Sequence, residues 1–515
     1  MPEVLMIELA PDTPERERNR WLRRLDWRFL LHEPAPRRVC SLLPAGQSSL
    51  KQAIQAFDLQ PAPPADLAVV QNPTRARLAQ AFAALQPGGE LYSEWRFPMG
   101  GERAVRHALT QAGFVDIACY WAWPVPGTRP PSFWLPVDAP HAIRAFLALR
   151  PATRSKRITA RRTALRYLWQ AAYRAGVVAP LQVTARRPNG QQAPLITMLH
   201  ENGIAASRVS SLLLTGGARS VNKVVRLLFH EQQPEPVAVV KYPRVPASIE
   251  PLRREARTLQ LLHQLRPVPL AGVPEVLHWN EQTGQLTEHA LMGKPLYSLL
   301  TAQSLASYAM RASDWLSALV YGPATNDWIQ RIAQPALAFF KTHFGAVIDV
   351  QRVDDLEAAL QRVGVLPTTF EQRDFSPWNV LLDRNNQLIV LDWESAEPQG
   401  LPGLDLIYFL SYLIFTHEQA MESKKFRASY LRLRDRQHPV GALVHRCLAH
   451  YAQVTGLNSD VLRVLWPFTW VLHARSEYAH MQADCGGTPT RAQLETSVFV
   501  DLWRTEMALF GHSNR

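Results

Sequence analysis

Short apolar runs alternate with helically spaced apolar residues along residues 1–125. The runs predict five strands, at Val4–Leu9, Arg38–Leu43, Asp66–Val70, Leu91–Trp95 and Val115–Trp121. The helical spacing predicts four helices, at Thr13–Leu31, Ser48–Phe57, Thr74–Leu85 and Gly101–Ala112. Alternation of strands with helices is typical of a parallel, doubly wound sheet. We therefore expect a Rossmann-like α/β domain in residues 1–125.

Residues 126–205 have a different pattern. Pro124–Pro140 is rich in proline and predicts an ordered connection. Arg150–Arg174 contains many basic residues and no acidic one, and Leu165 and Trp169 lie at spacings that can form an apolar stripe. A basic amphipathic helix with a tryptophan can lie on an anionic membrane surface. A solvated helix packed against a neighbouring domain is the alternative, and the pattern does not decide between them.

Residues 206–291 return to the strand pattern, and residues 292–515 are largely helical in pattern. The strands are predicted at Val209–Leu214, Lys223–Phe229, Pro236–Lys241, Val273–Trp279 and Gln285–Leu291, with a helix at Arg253–Leu262. The later helices are predicted at Leu299–Tyr321, Asp327–Phe344, Val353–Val363 and from Gly403 onward. A β-rich lobe followed by a helical lobe is an α+β arrangement, so the predicted fold class of the whole chain is α/β plus α+β.

Composition supports a globular protein of several domains. A chain of 515 residues is too long for one ordinary core, so two or three domains are expected. A hydrophobic content of 47% with 19% charged residues is typical of a folded chain. The four cysteines have no metal-like spacing and fit free thiols in a reducing compartment.

Neither a signal-peptide pattern nor an uncharged apolar run of roughly 18 residues is present. We therefore expect a cytoplasmic protein, either soluble throughout or peripheral at the inner membrane face.

The net charge of +12 favours polyanionic partners. Nucleic acid, an acidic membrane surface and a phosphorylated substrate all fit this charge. The sequence contains no zinc finger and no aromatic RNA-binding signature, so no specific nucleic-acid partner is predicted. The oligomeric state is left open.

Two acids and an amide form the candidate chemistry of the chain. Asp374 is followed five residues later by Asn379, and the apolar run Leu388–Leu391 leads into Asp392. Phosphoryl transfer from a nucleotide needs such a set, because one carboxylate accepts the proton of the attacking hydroxyl while an amide oxygen and a second carboxylate hold Mg²⁺. A surface turn followed by a buried strand is the alternative interpretation.

The segments Asp374–Asn379 and Leu391–Glu394 resemble the two signatures of the aminoglycoside phosphotransferase and choline kinase family, which are small-molecule kinases with the protein-kinase fold. The resemblance implies ATP as the phosphoryl donor, Asp374 as the catalytic residue, and Asn379 and Asp392 as ligands of Mg²⁺. The family usually has His-Gly-Asp where this chain has Gln372, Arg373 and Asp374. The departure puts activity in question.

The same resemblance implies roles for residues of the β-rich lobe. Lys241, oriented by Glu255, would position the α- and β-phosphates, with a strand-end surface lysine as the alternative. Backbone amides at Gly216 and Gly217 could cover the triphosphate, although an ordinary hairpin has the same pattern. Asp405 would brace the catalytic loop. The backbone that would read the adenine edge lies at the expected hinge, at Glu288, His289 and Ala290.

A weaker resemblance covers residues 35–125. Leu85–Leu91 and Gln111–Phe114 are similar to the late half of class I S-adenosylmethionine-dependent methyltransferases. The cofactor turn of such folds is rich in glycine, whereas Leu43–Ser48 contains a single glycine. We therefore expect a degenerate methyltransferase-like domain kept for packing or partner binding, with a working methyltransferase as the alternative.

Together these features predict a Mg²⁺- and ATP-dependent phosphotransferase acting on a hydroxyl of a small or lipid-linked molecule, such as a sugar. The alternative is a pseudokinase joined to a pseudomethyltransferase, which would serve as a binding or scaffold module in polysaccharide synthesis. The predicted parts are residues 1–125, 126–205, 206–291 and 292–515: a Rossmann-like domain, a connection with a basic helix, a β-rich lobe and a helical lobe.

Overall fold

The computed structural model describes residues 15–44, 49–55, 63–96, 98, 100–124, 130–149, 180–192, 194–204, 209–217, 219, 221–230, 233–265, 270–423, 425–485 and 487–512. Three predictions lie wholly or mostly outside these residues: the strand Val4–Leu9, the basic stretch Arg150–Arg174 and the turn Leu43–Ser48.

Strands occur in both halves of the described chain. They are β1 (Val39–Leu42), β2 (Ala65–Gln71), β3 (Leu85–Trp95), β4 (Val115–Trp123), β5 (Phe133–Pro136), β6 (Leu181–Arg186), β7 (Val209–Leu214), β8 (Val224–His230), β9 (Pro236–Tyr242), β10 (Val276–Asn280), β11 (Gln285–His289), β12 (Lys294–Pro295), β13 (Val320–Thr325), β14 (Leu366–Glu371), β15 (Val380–Leu382), β16 (Leu388–Val390) and β17 (Glu397–Gly400).

Helices dominate the C-terminal half. The α-helices are α1 (Glu15–Arg24), α2 (Ser49–Gln55), α3 (Arg75–Ala84), α4 (Gly101–Gln111), α5 (Pro140–Leu149), α6 (Pro194–Glu201), α7 (Ile249–Leu265), α8 (Leu296–Leu299), α9 (Leu305–Ser317), α10 (Gln334–Phe344), α11 (Val350–Gln361), α12 (Leu404–His417), α13 (Ala420–Ser423), α14 (Phe426–Arg434), α15 (Pro439–Thr455), α16 (Ser459–Cys485), α17 (Arg491–Glu495) and α18 (Val498–His512). Short 3₁₀ turns lie at Asp26–Leu30 and Pro246–Ser248, and a π-helical turn lies at Ile329–Ala333.

Contacts between Cα atoms divide the chain into two units. The first comprises Met1–Arg253 and Val276–Ala290, and the second comprises Arg254–Glu275 and Leu291–Arg515. The division into four domains that the sequence predicts remains a prediction. Residues 1–125 and residues 206–291 nevertheless contribute strands to the same sheet of the first unit.

The first unit contains an eleven-stranded sheet in the order β1-β2-β3-β6-β4-β5-β7-β8-β9-β11-β10. Parallel pairing is confirmed for β1, β2 and β3. The fourth predicted strand of residues 1–125 that the structure describes, β4, does not pair with β3, because β6 lies between them and runs antiparallel to both. The later pairs of the sheet are antiparallel. The hairpins β7–β8 and β10–β11 agree with the predicted ones.

Two strands of this sheet were not predicted. Phe133–Pro136 was expected to be part of a connection, yet all four residues are buried and pair with β4 and β7. Leu181–Arg186 is buried at all six positions although every second residue is polar. Its polar side chains find partners inside the unit; the Gln182 side-chain oxygen, for example, accepts the Ala122 N–H at 2.9 Å. Because alternate residues of this segment are polar, the sequence pattern did not indicate a strand at the centre of the sheet.

Strand β2 shows why the sheet is buried on both faces. Its side chains alternate between two separate apolar clusters, with Leu67 and Val69 in one and Ala68 and Val70 in the other. Since successive residues of a strand point to opposite faces, each face of the sheet has its own core.

A buried ion pair joins the N-terminal segment to the later strands of the first unit. The Arg244 guanidinium donates to both carboxylate oxygens of Asp26 at 3.0 Å, and neither side chain is exposed. Arg244 also donates to the carbonyls of Thr215 and Arg219 in the glycine turn between β7 and β8. Two elements distant in sequence are thereby fixed to one guanidinium.

The second unit contains two three-stranded sheets, β12-β15-β16 and β13-β14-β17, together with most of the helices. Its most buried helix is α12, in which every residue from Leu404 to Phe415 is buried. The helix predicted at Leu299–Tyr321 is shorter, because Val320–Thr325 contains a glycine and a proline and pairs with β14 instead. None of the helices among the described residues is long and apolar enough to cross a membrane.

Candidate active site

The loop after β14 is held by two buried acids of the second unit. The Asp405 carboxylate accepts the backbone N–H groups of Gln372 at 2.6 Å and Arg373 at 2.9 Å. The Glu371 carboxylate accepts the Leu401 N–H and the Arg373 guanidinium, each at 2.7 Å. Burial raises the pKa of Asp405 to about 7, the Glu371 charge adds to this rise, and the two backbone N–H groups oppose it. Asp405 thus holds the loop through its backbone.

Gln372 occupies the position where the resembled family usually has histidine. Its side-chain oxygen accepts the Asp374 N–H at 2.8 Å, and its side-chain nitrogen donates to the carbonyls of Leu391 at 3.0 Å and Asp392 at 2.5 Å. The side chain is fully buried. One amide therefore ties the backbone of the first loop to that of the second, and it does so with groups that do not titrate.

Asp374 and Asn379 are in direct contact. The Asn379 side-chain nitrogen donates to the Asp374 carboxylate at 2.8 Å and to the Asp374 carbonyl at 3.0 Å, and the Tyr408 hydroxyl lies 3.4 Å from the other carboxylate oxygen. Burial raises the pKa of Asp374 to about 7, the Asp392 charge adds to the rise, and the hydrogen bonds from Asn379 and Tyr408 oppose it. A carboxylate with a pKa near neutrality suits a general base.

Asp392 is fixed from both sides of its backbone. The Asp392 backbone has the left-handed conformation, with φ of +66°. Its carbonyl accepts from Gln372, and the N–H of the next residue, Trp393, donates to the buried Glu255 carboxylate at 2.9 Å. The Leu391 N–H donates to the Asn379 carbonyl at 3.0 Å. The second unit therefore brings the predicted residues Asp374, Asn379 and Asp392 together.

The donor set of these residues fits a hard divalent cation. Because the Asn379 nitrogen donates to Asp374, its side-chain oxygen is the atom left to act as a ligand. An amide oxygen and a carboxylate suit Mg²⁺, which is usually held by one or two protein groups while phosphates and water complete its shell. No group of three or more His, Cys, Asp or Glu side chains able to hold a metal is found in the described part of the chain.

Lys241 of the first unit has a partner that the sequence did not reveal. Its ammonium group lies 2.8 Å from one carboxylate oxygen of Glu288 and 2.9 Å from the other, and both residues are buried. Adjacent pairing of β9 and β11 brings the two side chains together. The predicted pairing of Lys241 with Glu255, which belongs to the second unit, remains a prediction.

The other predicted nucleotide residues also belong to the first unit. Gly216 and Gly217 are exposed in the turn after β7, and Gly217 has φ of +95°, where a Cβ would lie 2.4 Å from Asn222. His289 ends β11, and the Ala290 N–H donates to the Val237 carbonyl at 3.3 Å. The Ala290 N–H is thus engaged in the sheet, and adenine recognition by Glu288, His289 and Ala290 remains a prediction.

Aromatic rings surround the Asp374 side of the second unit. The Tyr408 ring stacks on His473 with centroids 3.9 Å apart, and Phe499 lies 5.3 Å from His473. Tyr412 packs against Tyr408 at 4.6 Å and against Trp378 at 5.3 Å. His473 is half-buried in this aromatic group and stacks on Tyr408, the residue whose hydroxyl lies beside Asp374.

One family model matches part of the chain. Residues 222–440 match the model of the phosphotransferase enzyme family. This phosphotransferase segment contains Lys241, Glu255, Asp374, Asn379 and Asp392, and it is less than half of the chain. The match supports a kinase-like fold of mixed α/β content in the C-terminal part and a small-molecule phosphotransferase. No curated protein matches the chain.

Several solved structures are similar to this chain at low identity. The GDP complex of wild-type aminoglycoside 2′-phosphotransferase-IIIa is 14% identical, covering 61% of this chain and 98% of that one, with a TM-score of 0.37. Macrolide 2′-phosphotransferase MphH from Brachybacterium faecium is 17% identical, covering 59% and 97%, with a TM-score of 0.36. A thermostable mutant of aminoglycoside phosphotransferase APH(4)-Ia, in complex with ADP and hygromycin B, is 13% identical, covering 61% and 99%, with a TM-score of 0.36. Superpositions this loose carry no argument about the fold or the function of this chain.

The phosphotransferase segment contains two features for which the sequence had only a faint signal. Gln372 stands where the resembled family usually has histidine. Its hydrogen bonds depend on the positions of the Asp374 N–H and of the Leu391 and Asp392 carbonyls, which residue spacing does not predict. Glu288 is the lone acid of β11, and such an acid on a buried strand indicates a nearby cation. The methyltransferase resemblance lies outside the matched segment and remains a prediction.

Proposed function

We propose that this protein is a Mg²⁺- and ATP-dependent phosphotransferase that acts on a hydroxyl of a small or lipid-linked molecule. The observation that supports it most directly is the contact set Asp374, Asn379 and Asp392 in the second unit, bound together by Gln372. This set provides a carboxylate for the proton of the acceptor and oxygen ligands for a cation.

Asp374 accepts the proton of the acceptor hydroxyl. The oxygen of that hydroxyl bonds to the γ-phosphorus of ATP while the bond between the γ-phosphorus and the oxygen of the departing ADP breaks. Asn379 orients Asp374 by a hydrogen bond to its carboxylate. The Asn379 amide oxygen and the Asp392 carboxylate would hold the cation. A bound Mg²⁺ supplies charge neutralisation for the phosphates. Lys241, oriented by Glu255, would position the α- and β-phosphates, and the backbone amides of Gly216 and Gly217 would cover the triphosphate.

The aromatic group beside Asp374 favours an acceptor with apolar faces. Of these rings Phe499 is partly exposed, whereas Tyr408 and Tyr412 are buried beneath it. His473 carries no charge near neutral pH because burial and, secondarily, the nearby Arg373 lower its pKa to about 3. A sugar ring, with apolar C–H faces and hydroxyls at its edge, fits such a surface.

The second candidate is a pseudokinase that serves as a binding or scaffold module in polysaccharide synthesis. The replacement of histidine by Gln372 and the engagement of Lys241 by Glu288 favour it. A peripheral membrane site at Arg150–Arg174 would be compatible with either function and with a lipid-linked acceptor.

ADP formation from Mg-ATP distinguishes the two candidates. We expect the wild-type chain to form ADP slowly with water and faster with a suitable member of a panel of glucose, N-acetylglucosamine and kanamycin. Asp374→Ala should abolish both rates, whereas Asp355→Ala, which removes an exposed helical carboxylate, should leave them unchanged. An Asp374→Ala protein as active as wild type would refute the proposed mechanism.

A further inference from the structure

A cavity lies among helices of the second unit, and none of the catalytic set lines it. It has a volume of about 830 Å³ and is formed by α14, α15, α16 and α18. Its lining includes the apolar side chains of Leu448, Leu462, Leu509 and Phe510 but none of Asp374, Asn379 and Asp392. The volume is in the range of sites that enclose small molecules.

Three N–H donors of the cavity lining lack an acceptor. They are Trp466 Nε1, Arg434 Nε and Arg463 Nε, each buried and without a hydrogen-bond partner within the described part of the chain. Trp466 is only 2% exposed. Buried polar groups are nearly always hydrogen-bonded, so three such donors around one cavity call for acceptor atoms inside it.

The positions of these donors are set by neighbouring contacts. The Arg434 guanidinium lies 3.7 Å from the centre of the Trp466 ring, and its terminal nitrogen lies 2.9 Å from a carboxylate oxygen of the fully buried Glu506. The other oxygen of Glu506 accepts the Tyr430 hydroxyl at 2.7 Å. Arg463 approaches Asp460 only to 4.0 Å, which is too long for a hydrogen bond. The Arg434 guanidinium is thus held against the Trp466 ring before any ligand enters, whereas the Arg463 side chain is about two-fifths exposed.

The chemistry of the lining indicates the class of ligand. The charges of Arg434, Arg436 and Arg463 are matched in number by Asp435, Asp460 and Glu506, so net charge does not select an anion. Of the four lining atoms without a hydrogen-bond partner, however, three are donors, and the fourth, Glu506 Oε1, lies in the ion pair with Arg434. Apolar side chains such as Leu448 and Phe510 line the cavity beside them. A ligand with a carboxylate or phosphate head and an apolar body would satisfy both.

We propose that this cavity is a second binding site of the protein, for a small amphipathic anion whose head group accepts from Trp466, Arg434 and Arg463. It is separate from the acceptor side of Asp374. Trp466 precedes His473 by seven residues on α16, which places them about 10 Å apart along the helix. The proposal does not depend on the phosphotransferase activity.

Titration calorimetry on the full chain tests this site with two carboxylates, 2-naphthoate and decanoate, each compared with its neutral alcohol. We expect one carboxylate at least to bind with 1:1 stoichiometry and the alcohol to bind roughly tenfold more weakly. The better carboxylate shows whether the apolar body is aromatic or an acyl chain.

Two variants locate the binding. Trp466→Phe keeps the ring but removes one donor, and should weaken carboxylate binding by roughly tenfold. Trp503→Phe is the matched control, because Trp503 is equally buried and also has an unpartnered Nε1 but does not line the cavity. Ala449→Trp, which fills the cavity from an exposed helical position, should abolish binding even if Trp466→Phe folds poorly. Failure of both carboxylates to bind, equal binding of the alcohols, or undiminished binding by Ala449→Trp would overturn the proposal.

Discussion

The side-chain oxygen of Gln372 accepts the backbone N–H of Asp374 at 2.8 Å. The same amide donates to the backbone of Leu391 and Asp392, so one residue sets the spacing between the candidate base and the candidate metal ligand. The resembled family usually has histidine here. An amide can perform the bridging because it has a donor end and an acceptor end in fixed relation.

Substitutions at Gln372 should show how much its hydrogen bonds between the two loops contribute to stability and to turnover. Gln372→Ala leaves one N–H and two carbonyls without their buried partner, so we expect a loss of about 1–3 kcal/mol in the free energy of unfolding and a marked loss of turnover. Gln372→Glu keeps the acceptor for Asp374 but loses the donor to the second loop, and should fall between wild type and Gln372→Ala. Urea unfolding and ADP formation measure the two effects. Equal stability of all three proteins would show that the bridge is unimportant.

The Asp26–Arg244 pair should be a major source of stability in the first unit. Asp26→Ala leaves the guanidinium buried without its carboxylate, and removing one partner of a buried pair costs about 3–5 kcal/mol. Glu17→Ala, at an exposed position of α1, is the control and should change stability little. In urea unfolding, the double variant Asp26→Ala/Arg244→Ala should lose less than the sum of the two single variants. Strict additivity would mean that the pair is not coupled.

His473 should make the protein sensitive to acid. Its pKa in the folded protein is lowered from 6.5 to about 3, mainly by burial. Between these values the unfolded chain binds a proton that the folded protein does not, so this residue makes stability decrease as the pH falls from about 6.5 towards 3. Urea unfolding at several pH values should show a shallower decrease for His473→Phe, which keeps a ring beside Tyr408. The same pH dependence in both proteins would contradict the assignment.

Features of the candidate site that depend on the order of residues along the chain were predictable, whereas those that depend on tertiary contacts were not. Asp374, Asn379 and Asp392 are recognisable because an acid, an amide and a strand-end acid follow one another in fixed order. The hairpin β7–β8 was predictable because its apolar runs flank a glycine turn. The partner of Lys241 was not, because the register of β9 against β11 decides which acid reaches the ammonium group.

The order of strands in the eleven-stranded sheet was also not predictable from local sequence patterns. Leu181–Arg186 follows a proline and carries polar residues at alternate positions, so its pattern suits a half-exposed strand rather than a central one. Its place between β3 and β4 depends on pairing between residues about 60 to 96 positions apart in the chain, which no local pattern encodes. The ion pair Asp26–Arg244 spans a still longer separation in sequence.

The central claim is that Asn379 and Asp392 hold a cation with a nucleotide beside Asp374. Calorimetric titration with ADP, with and without Mg²⁺, tests it most directly. We predict that Mg²⁺ strengthens ADP binding to wild type, that Asp392→Asn reduces this Mg²⁺ effect by roughly tenfold or more, and that Asp374→Asn retains it. ADP binding that is absent from the wild-type chain, or that is the same with and without Mg²⁺, would contradict the claim.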